Sequence, residues 1–126
     1  MIKDMNIILT ISFKDTDLDE GDLENEAQNL LNQLKEMDEI ESVNRVLDPN
    51  PPVNSKSLGG VLVGILTAEV SPAKVKNLLI VLRERLGGKP IELSVEANGR
   101  KLSVKAYSRE ELESAIKSAQ DFIDRK

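Results

Sequence analysis

Carboxylates at alternate positions are the first residues in this chain whose spacing could support chemistry. Asp15, Asp17 and Asp19 alternate, and Glu26 follows seven residues after the last of them. This spacing resembles a calcium loop, because hard cations bind convergent carboxylates at alternate positions and a final bidentate acid. However, Glu20 occupies the sixth position, where such a loop needs glycine. The pattern is therefore more typical of an acidic helix start than of a metal site.

The 126-residue chain contains no histidine and no cysteine. Histidine is the side chain best suited to moving protons near neutral pH, and with cysteine it supplies most transition-metal and nucleophile chemistry. Their absence excludes Ser-His-Asp and Cys-His catalysis, zinc sites and thiol redox chemistry. The carboxylates fall mostly on faces expected to be polar, where they make poor general acids at neutral pH. We therefore predict a protein that is not an enzyme and that uses no cofactor or metal.

A proline-rich segment supplies the candidate partner-binding residues. Between residues 48 and 57, Pro49, Pro51 and Pro52 are followed by Lys56. Proline lacks a backbone donor and has a fixed φ angle, so this segment is predicted to be an extended surface loop outside the sheet. Restricted loops lose little entropy on docking, which makes these four residues candidates for contact with a partner. An ordinary surface connection is the alternative interpretation.

Charge is unevenly distributed along the chain. There are 17 basic and 22 acidic side chains, with a net charge of −9 in residues 1–41 and +4 in the remainder. Nucleic-acid binding is not expected, because the chain lacks a dense basic cluster and has only three aromatic residues, Phe13, Tyr107 and Phe122. The asymmetry allows an electrostatically guided protein partner or self-association, with a homodimer as one form.

No segment of the sequence resembles a membrane anchor. The longest apolar stretch, Leu58–Val70, has 13 residues and three glycines, which is too short to span a bilayer. The first six residues lack the layout of a signal peptide. We therefore expect no membrane association and a cytoplasmic location, which the absence of cysteine fits.

Hydrophobic periodicity predicts one α+β domain over residues 1–126, with elements in the order β-α-β-α-α-β-β-α. Alternating apolar residues predict a strand over residues 7–13, and helical spacing follows Asp19. Ile40–Leu47 reads as a second strand with a bulge. Together these patterns predict a ferredoxin-like-flavoured sandwich, with about four mainly antiparallel strands and helices packed on one face.

The middle of the chain contains one ambiguous segment and one clear helix. Leu58–Val70 has apolar residues at helical spacing, and a helix is predicted there, but its β-branched residues leave a strand as the open alternative. The leucine-rich segment that follows is predicted to be a helix capped by Ser71, with Pro72 at its first position and Gly87-Gly88 at its end.

The best-specified element is a hairpin around Asn98-Gly99, the preferred two-residue type I′ turn. This turn fixes every cross-strand pair. Apolar residues such as Leu93 and Val104 then face each other on one side, and opposite charges such as Glu92 and Lys105 meet on the other. A one-residue slip would destroy both sets of pairs.

The last helix has a sequence signature at its start. Ser108 and Glu111 have the spacing of a capping box. Tyr107 lies just before this cap, and its ring is expected to anchor packing rather than to donate protons.

A family resemblance is carried by features that follow one another along the whole chain. These are Leu30-Leu31, Glu41-Ser42-Val43, the proline-rich loop, the glycine-containing apolar segment, Leu78–Leu86, Asn98-Gly99 and Ser108–Leu112. In this order they resemble the effector-associated constant component family of small bacterial domains. The resemblance implies a fixed, non-catalytic companion of variable effectors in bacterial conflict and defence systems, including trypsin-like and caspase-like peptidases. It brings no catalytic residues.

We therefore expect a non-catalytic adaptor or regulatory component that binds a peptidase-type effector through an apolar patch or the proline loop. The alternative is a small-molecule-sensing regulatory domain, acting as a dimer. A metal-dependent hydrolase that uses Asp15, Asp17 and Asp19 is the third and least favoured class.

Overall fold

A computed structural model describes residues 6–38, 40–47 and 61–124 of the chain. The described residues form strands and helices in the order β-α-β-β-α-β-β-α. The elements are β1 (Ile7–Phe13), α1 (Glu20–Lys35), β2 (Ile40–Leu47), β3 (Val61–Val70), α2 (Val75–Leu86), β4 (Ile91–Ala97), β5 (Arg100–Ala106) and α3 (Arg109–Asp124). The α+β class is thus confirmed, but the sheet has one strand more than predicted and the order of elements differs.

The five strands form a single antiparallel sheet in the order β2-β3-β1-β4-β5. The first strand of the chain occupies the centre, between β3 and β4. Its alternating residues Ile7, Leu9, Ile11 and Phe13 are all buried, whereas Ile8 between them is 38% exposed. This alternation gives the sheet one apolar face. The strand order makes β2 and β5 its two edge strands.

The segment that was predicted to be a helix is strand β3, so the helix prediction is wrong. Leu66, Ala68 and Val70 alternate toward the core, and the strand pairs with β1 on one side and β2 on the other. Short apolar runs carry both periodicities weakly, and here pairing with two neighbouring strands decides between them. The start of the predicted helix, residues 58–60, lies outside the described residues.

All three helices contribute to one hydrophobic core with the apolar face of the sheet. Leucines dominate the helix contributions, because the aromatic content of the chain is too low to fill the space. The buried helix residues are Ala27, Leu30, Leu31 and Leu34 in α1, Val75, Leu78, Leu79, Leu82 and Leu86 in α2, and Leu112, Ala115, Ile116 and Ala119 in α3.

The helix that follows β3 begins later than predicted. α2 starts at Val75, and the backbone N–H of Lys74 donates to the carbonyl oxygen of Ser71 at 3.0 Å, so a turn precedes the helix. The prediction that Ser71 caps the helix and Pro72 opens it is therefore wrong. The predicted end is confirmed, since Gly87 is the C-terminal cap.

The capping box of α3 is confirmed with one variation. The hydroxyl of Ser108 accepts from the backbone N–H of Glu111 at 3.1 Å. The Glu111 carboxylate accepts from the backbone N–H of Tyr107 at 2.7 Å, one residue before the usual donor. This exchange fixes the sharp connection between β5 and α3.

The hairpin of β4 and β5 has the predicted register at every pair, from Ala97 opposite Arg100 to Ile91 opposite Ala106. Asn98 and Gly99 have φ angles of 56° and 77°, as a type I′ turn requires. The described helices include none that is long and apolar enough to cross a membrane.

We expect Gly99→Ala to lower the free energy of unfolding by about 1–2 kcal/mol, because an alanine side chain disfavours a positive φ angle. No atom lies within 4 Å of a Cβ built at Gly99, so the effect isolates backbone strain. Gly21→Ala, inside α1, is the matched control and should cost no stability, because alanine favours helix. Urea unfolding of the three proteins measures both effects, and equal losses in the two variants would contradict this account.

Candidate functional site

The partner-binding residues predicted from the sequence, Pro49, Pro51, Pro52 and Lys56, lie outside the described residues. Their role therefore stays a prediction.

The acidic residues before and within the first half of α1 accept hydrogen bonds from backbone and lysine groups. Asp15 accepts from the backbone N–H of Asp17 at 2.9 Å, and Asp19 is the N-cap of α1. Glu26, the fourth member of the calcium-like pattern, accepts from the ammonium group of Lys89 at 2.5 Å. Within the described ranges, no group of three or more carboxylates converges as a metal site would require. The four carboxylates that the spacing had grouped therefore do not form such a site among the described residues.

The most enclosed of the described ion pairs joins α1 to the β2–β3 side of the sheet. Arg45 of β2 and Glu24 of α1 form a bidentate ion pair, and each side chain is only 12% exposed. Arg45 also donates from Nε and Nη2 to the carbonyl oxygens of Ile65 and Leu62 at 2.9 and 3.0 Å, and from Nη1 to the side-chain oxygen of Gln28 at 3.5 Å. Because the guanidinium group is held on all sides by protein acceptors, this pair is a structural tie and not a reactive group.

The hydrogen bonds from Arg45 lower the pKa of Glu24, against the opposing effect of burial. The backbone N–H of Gly64 adds a further hydrogen bond at 3.3 Å, which acts in the same direction. Gly64 has a φ angle of 73°, and its position coincides with the register shift between β2 and β3 after Arg45. The ion pair and the irregular backbone therefore support each other.

An open groove runs between the edge strand β5 and helix α3. Its larger section has a volume of about 430 Å³ and is lined by Val104, Ala115 and Ser118, among others. A smaller section of about 220 Å³ shares Ser118 and continues along Leu102 and Phe122. The groove therefore combines apolar residues from both elements with a hydroxyl group on the helix.

Charged residues line both ends of this groove. Glu110 and Lys105 line one end, and Asp121 lines the other. The guanidinium group of Arg100 lies over the ring of Phe122, 5.3 Å from its centre. This cation–π contact fixes the aromatic ring at the end of the groove next to the hairpin turn.

The backbone of β5 completes the candidate site. Within the part of the chain that the structure describes, no strand pairs with its outer side. In an antiparallel ladder, hydrogen-bonded pairs alternate from the pair that closes a two-residue turn. The N–H and C=O groups of Lys101, Ser103 and Lys105 therefore point away from β4, while the side chains of Leu102 and Val104 belong to the groove side.

The two edges of the sheet differ in regularity. β2 is interrupted by register shifts between Ile40 and Ser42 and between Arg45 and Leu47. β5, in contrast, is paired continuously over seven residues. Bulges disrupt edge pairing, so β5 is the edge better suited to accept an added strand.

Tyr107 is placed differently from the prediction. The residue is 52% exposed, which does not fit the expectation that its ring anchors packing. It lies at the junction of β5 and α3, the two elements that bound the groove. Exposed tyrosines are frequent anchors of protein interfaces, which makes this residue a candidate contact beside the groove.

Comparison with known proteins assigns no family to this chain. No family model matches it. No curated protein and no solved structure matches it significantly. The resemblance to the effector-associated constant component family therefore stays a prediction.

We expect the Arg45–Glu24 pair to make the free energy of unfolding depend on pH in the acidic range. The pKa of Glu24 is lowered in the folded protein. The ionised carboxylate therefore stabilises the fold fully above the unfolded glutamate pKa of about 4.3, and this stabilisation is lost as the pH falls through the folded pKa. Glu24→Gln should lower the free energy of unfolding by about 1–3 kcal/mol at pH 7. The difference from the wild type should shrink as the pH is lowered below 4.

Glu113→Gln on the exposed side of α3 is the matched control for loss of one carboxylate. Urea unfolding between pH 7 and pH 3 measures all three proteins. A Glu24→Gln difference that stays constant across this range would show that the ion pair does not contribute as described.

Proposed function

We propose that this protein is a non-catalytic adaptor or regulatory component that binds an effector protein in the cytoplasm. The observation that carries the proposal is the regular outer edge of β5 beside the groove against α3, with which no strand of the described residues pairs. A peptidase-type effector of a bacterial conflict or defence system is the partner that the family resemblance of the sequence implies.

A strand edge next to a groove supports binding by addition of a strand. In this mode, an extended segment of the partner pairs with the exposed backbone, which supplies affinity, and alternate side chains enter pockets, which supplies specificity. The outward N–H and C=O groups of Lys101, Ser103 and Lys105 can supply the backbone bonds. The apolar side chains of Leu102 and Val104 offer the contact surface for the alternate side chains.

The composition of the chain supports a binding role over a catalytic one. Without histidine or cysteine, the sequence lacks the side chains that most often act as general bases and nucleophiles at neutral pH. Arg45 and Glu24, the most enclosed charged pair described above, are saturated by each other and by backbone groups. The small-molecule-sensing alternative has less support, because the groove is open and ligand sites usually enclose most of their ligand.

Ser103→Pro tests the role of the edge without removing a pair to β4. The N–H of Ser103 points outward, and proline is tolerated at such an edge position while it removes the outward donor. Ser103→Ala is the matched control, because both variants lose the hydroxyl contact with Ser94 at 3.1 Å but alanine keeps the N–H.

We expect effector binding to fall at least about 10-fold in Ser103→Pro and to be retained in Ser103→Ala, because one backbone hydrogen bond and the strand alignment are lost. Tagged full-length proteins are purified from the native lysate at low salt, and co-purifying peptidase-type effectors are quantified by mass spectrometry. Failure of the wild type to associate with any effector would refute the adaptor role. An effector that binds Ser103→Pro as well as Ser103→Ala would refute the β5 edge as its contact.

A further inference from the structure

Strand β4, the inner neighbour of β5, shows which side chains can lie opposite those of β5. On the exposed side of the sheet, Glu92 faces Lys105 and Glu96 faces Lys101, and Ser94 and Ser103 lie between these pairs. On the groove side, Leu93 and Val95 face Val104 and Leu102. The segment Glu92–Glu96 therefore has the pattern acid, apolar, small polar, apolar, acid.

The outer edge of β5 presents the same two faces to an added strand. Side chains alternate between the faces of a sheet, so a strand on either side of β5 meets the same residues. The lysines lie on the exposed face, and Leu102 and Val104 lie on the face of the groove. An antiparallel strand with the pattern of Glu92–Glu96 is therefore complementary to the outer edge as well.

The ammonium groups of Lys101 and Lys105 can interact with acidic side chains of such a strand. Both side chains are exposed, and neither forms an ion pair with another described residue. Opposite charges placed directly across a strand pair are favourable, and like charges are unfavourable. Lys101 and Lys105 therefore select for acidic residues at the two ends of the added segment.

The same lysines disfavour pairing between two copies of the protein. An antiparallel pair of β5 strands centred on Ser103 would place Lys101 opposite Lys105 of the second copy, twice. Lysines on an edge strand are a common means of preventing such self-association. The charge pattern thus distinguishes an acidic partner segment from a second copy of this edge.

We propose that the β5 edge and its groove bind an extended segment of the effector with the pattern acid, apolar, small polar, apolar, acid. This inference rests on the proposed function, because it assigns the chemistry of the segment that the adaptor recognises. The acidic residues lie over Lys101 and Lys105, and the apolar residues lie along Leu102 and Val104 in the groove.

The probe is a fluorescent, end-blocked peptide that contains Glu-Leu-Ser-Val-Glu, and its binding to the full-length protein is followed by fluorescence anisotropy. The charge-reversed peptide with Lys-Leu-Ser-Val-Lys is the control. We expect saturable binding of the acidic peptide, and at least about 5-fold weaker binding of the basic one, from two cross-strand charge pairs. Equal binding of the two peptides, or no binding of either, would overturn the proposal.

Two sets of variants locate the bound peptide. The double variant Lys101→Gln, Lys105→Gln should reduce the preference for the acidic peptide, and glutamine avoids new repulsion with Glu92 and Glu96. Ser103→Pro should weaken binding, whereas Ser103→Ala should not. A peptide that binds Ser103→Pro normally has replaced β4 on the inner side of β5, and this result would contradict the proposed site.

The peptide assay and the effector assay can fail separately. If the effector requires the Ser103 N–H but the acidic peptide does not bind, the charge pattern is wrong and the adaptor role stands. If the acidic peptide binds at Ser103 but no effector associates with the wild type, the recognised chemistry stands and the effector role is wrong. Thermal unfolding of each variant establishes that it is folded before binding is measured.

Discussion

The register between β4 and β5 is the constraint on which the candidate site depends. The two positive φ angles at Asn98 and Gly99 place Ala97 opposite Arg100, and every later pair follows from that one. Because the side-chain period of a strand is two, a shift by one residue would turn the lysines into the groove and the apolar residues to solvent. One short turn thus determines which backbone groups and which side chains β5 presents at its outer edge.

The opposite edge of the sheet is built on a different interaction. There, the Arg45–Glu24 pair ties α1 to β2, and the guanidinium group also binds carbonyl oxygens of β3. The backbone is irregular at this point, with a positive φ angle at Gly64. The sheet therefore has one edge, β2, that is held by side chains and interrupted by bulges, and one regular edge, β5, with which no further strand of the described residues pairs. This difference is the reason why we propose β5, and not β2, as the binding edge.

Local signals in the sequence predicted the elements whose structure is determined locally. The Asn98-Gly99 turn and the capping residues Ser108 and Glu111 identified the hairpin and α3 correctly, because their hydrogen bonds join residues close in sequence. The segment that became β3 was predicted wrongly, because its conformation is decided by pairing with strands that are distant in the chain. The proline-rich residues proposed for partner binding lie outside the described residues and leave that prediction untested.

The candidate site itself was only partly accessible from the sequence. The predicted hairpin pairs already placed Leu102 and Val104 on one face, but the edge position of β5 follows from the strand order, which no local pattern contains. Arg45 could have been noticed, since it follows the buried Val43 by two positions and alternation puts both on the same face. Its partner Glu24 could not, because the approach of α1 depends on how the whole core packs.

The central position of β1 has a consequence for how the chain folds. Ile8 pairs with Glu69 and with Glu96. Strand β1 can therefore complete its pairing only after residues that are synthesised much later. The hairpin and α3 lie together in residues 91–124 and are joined by local contacts. Local contacts form faster than distant ones, because their loops close at lower entropic cost. We therefore expect the unit that carries the groove to form early, and insertion of β1 between two distant strands to limit the folding rate.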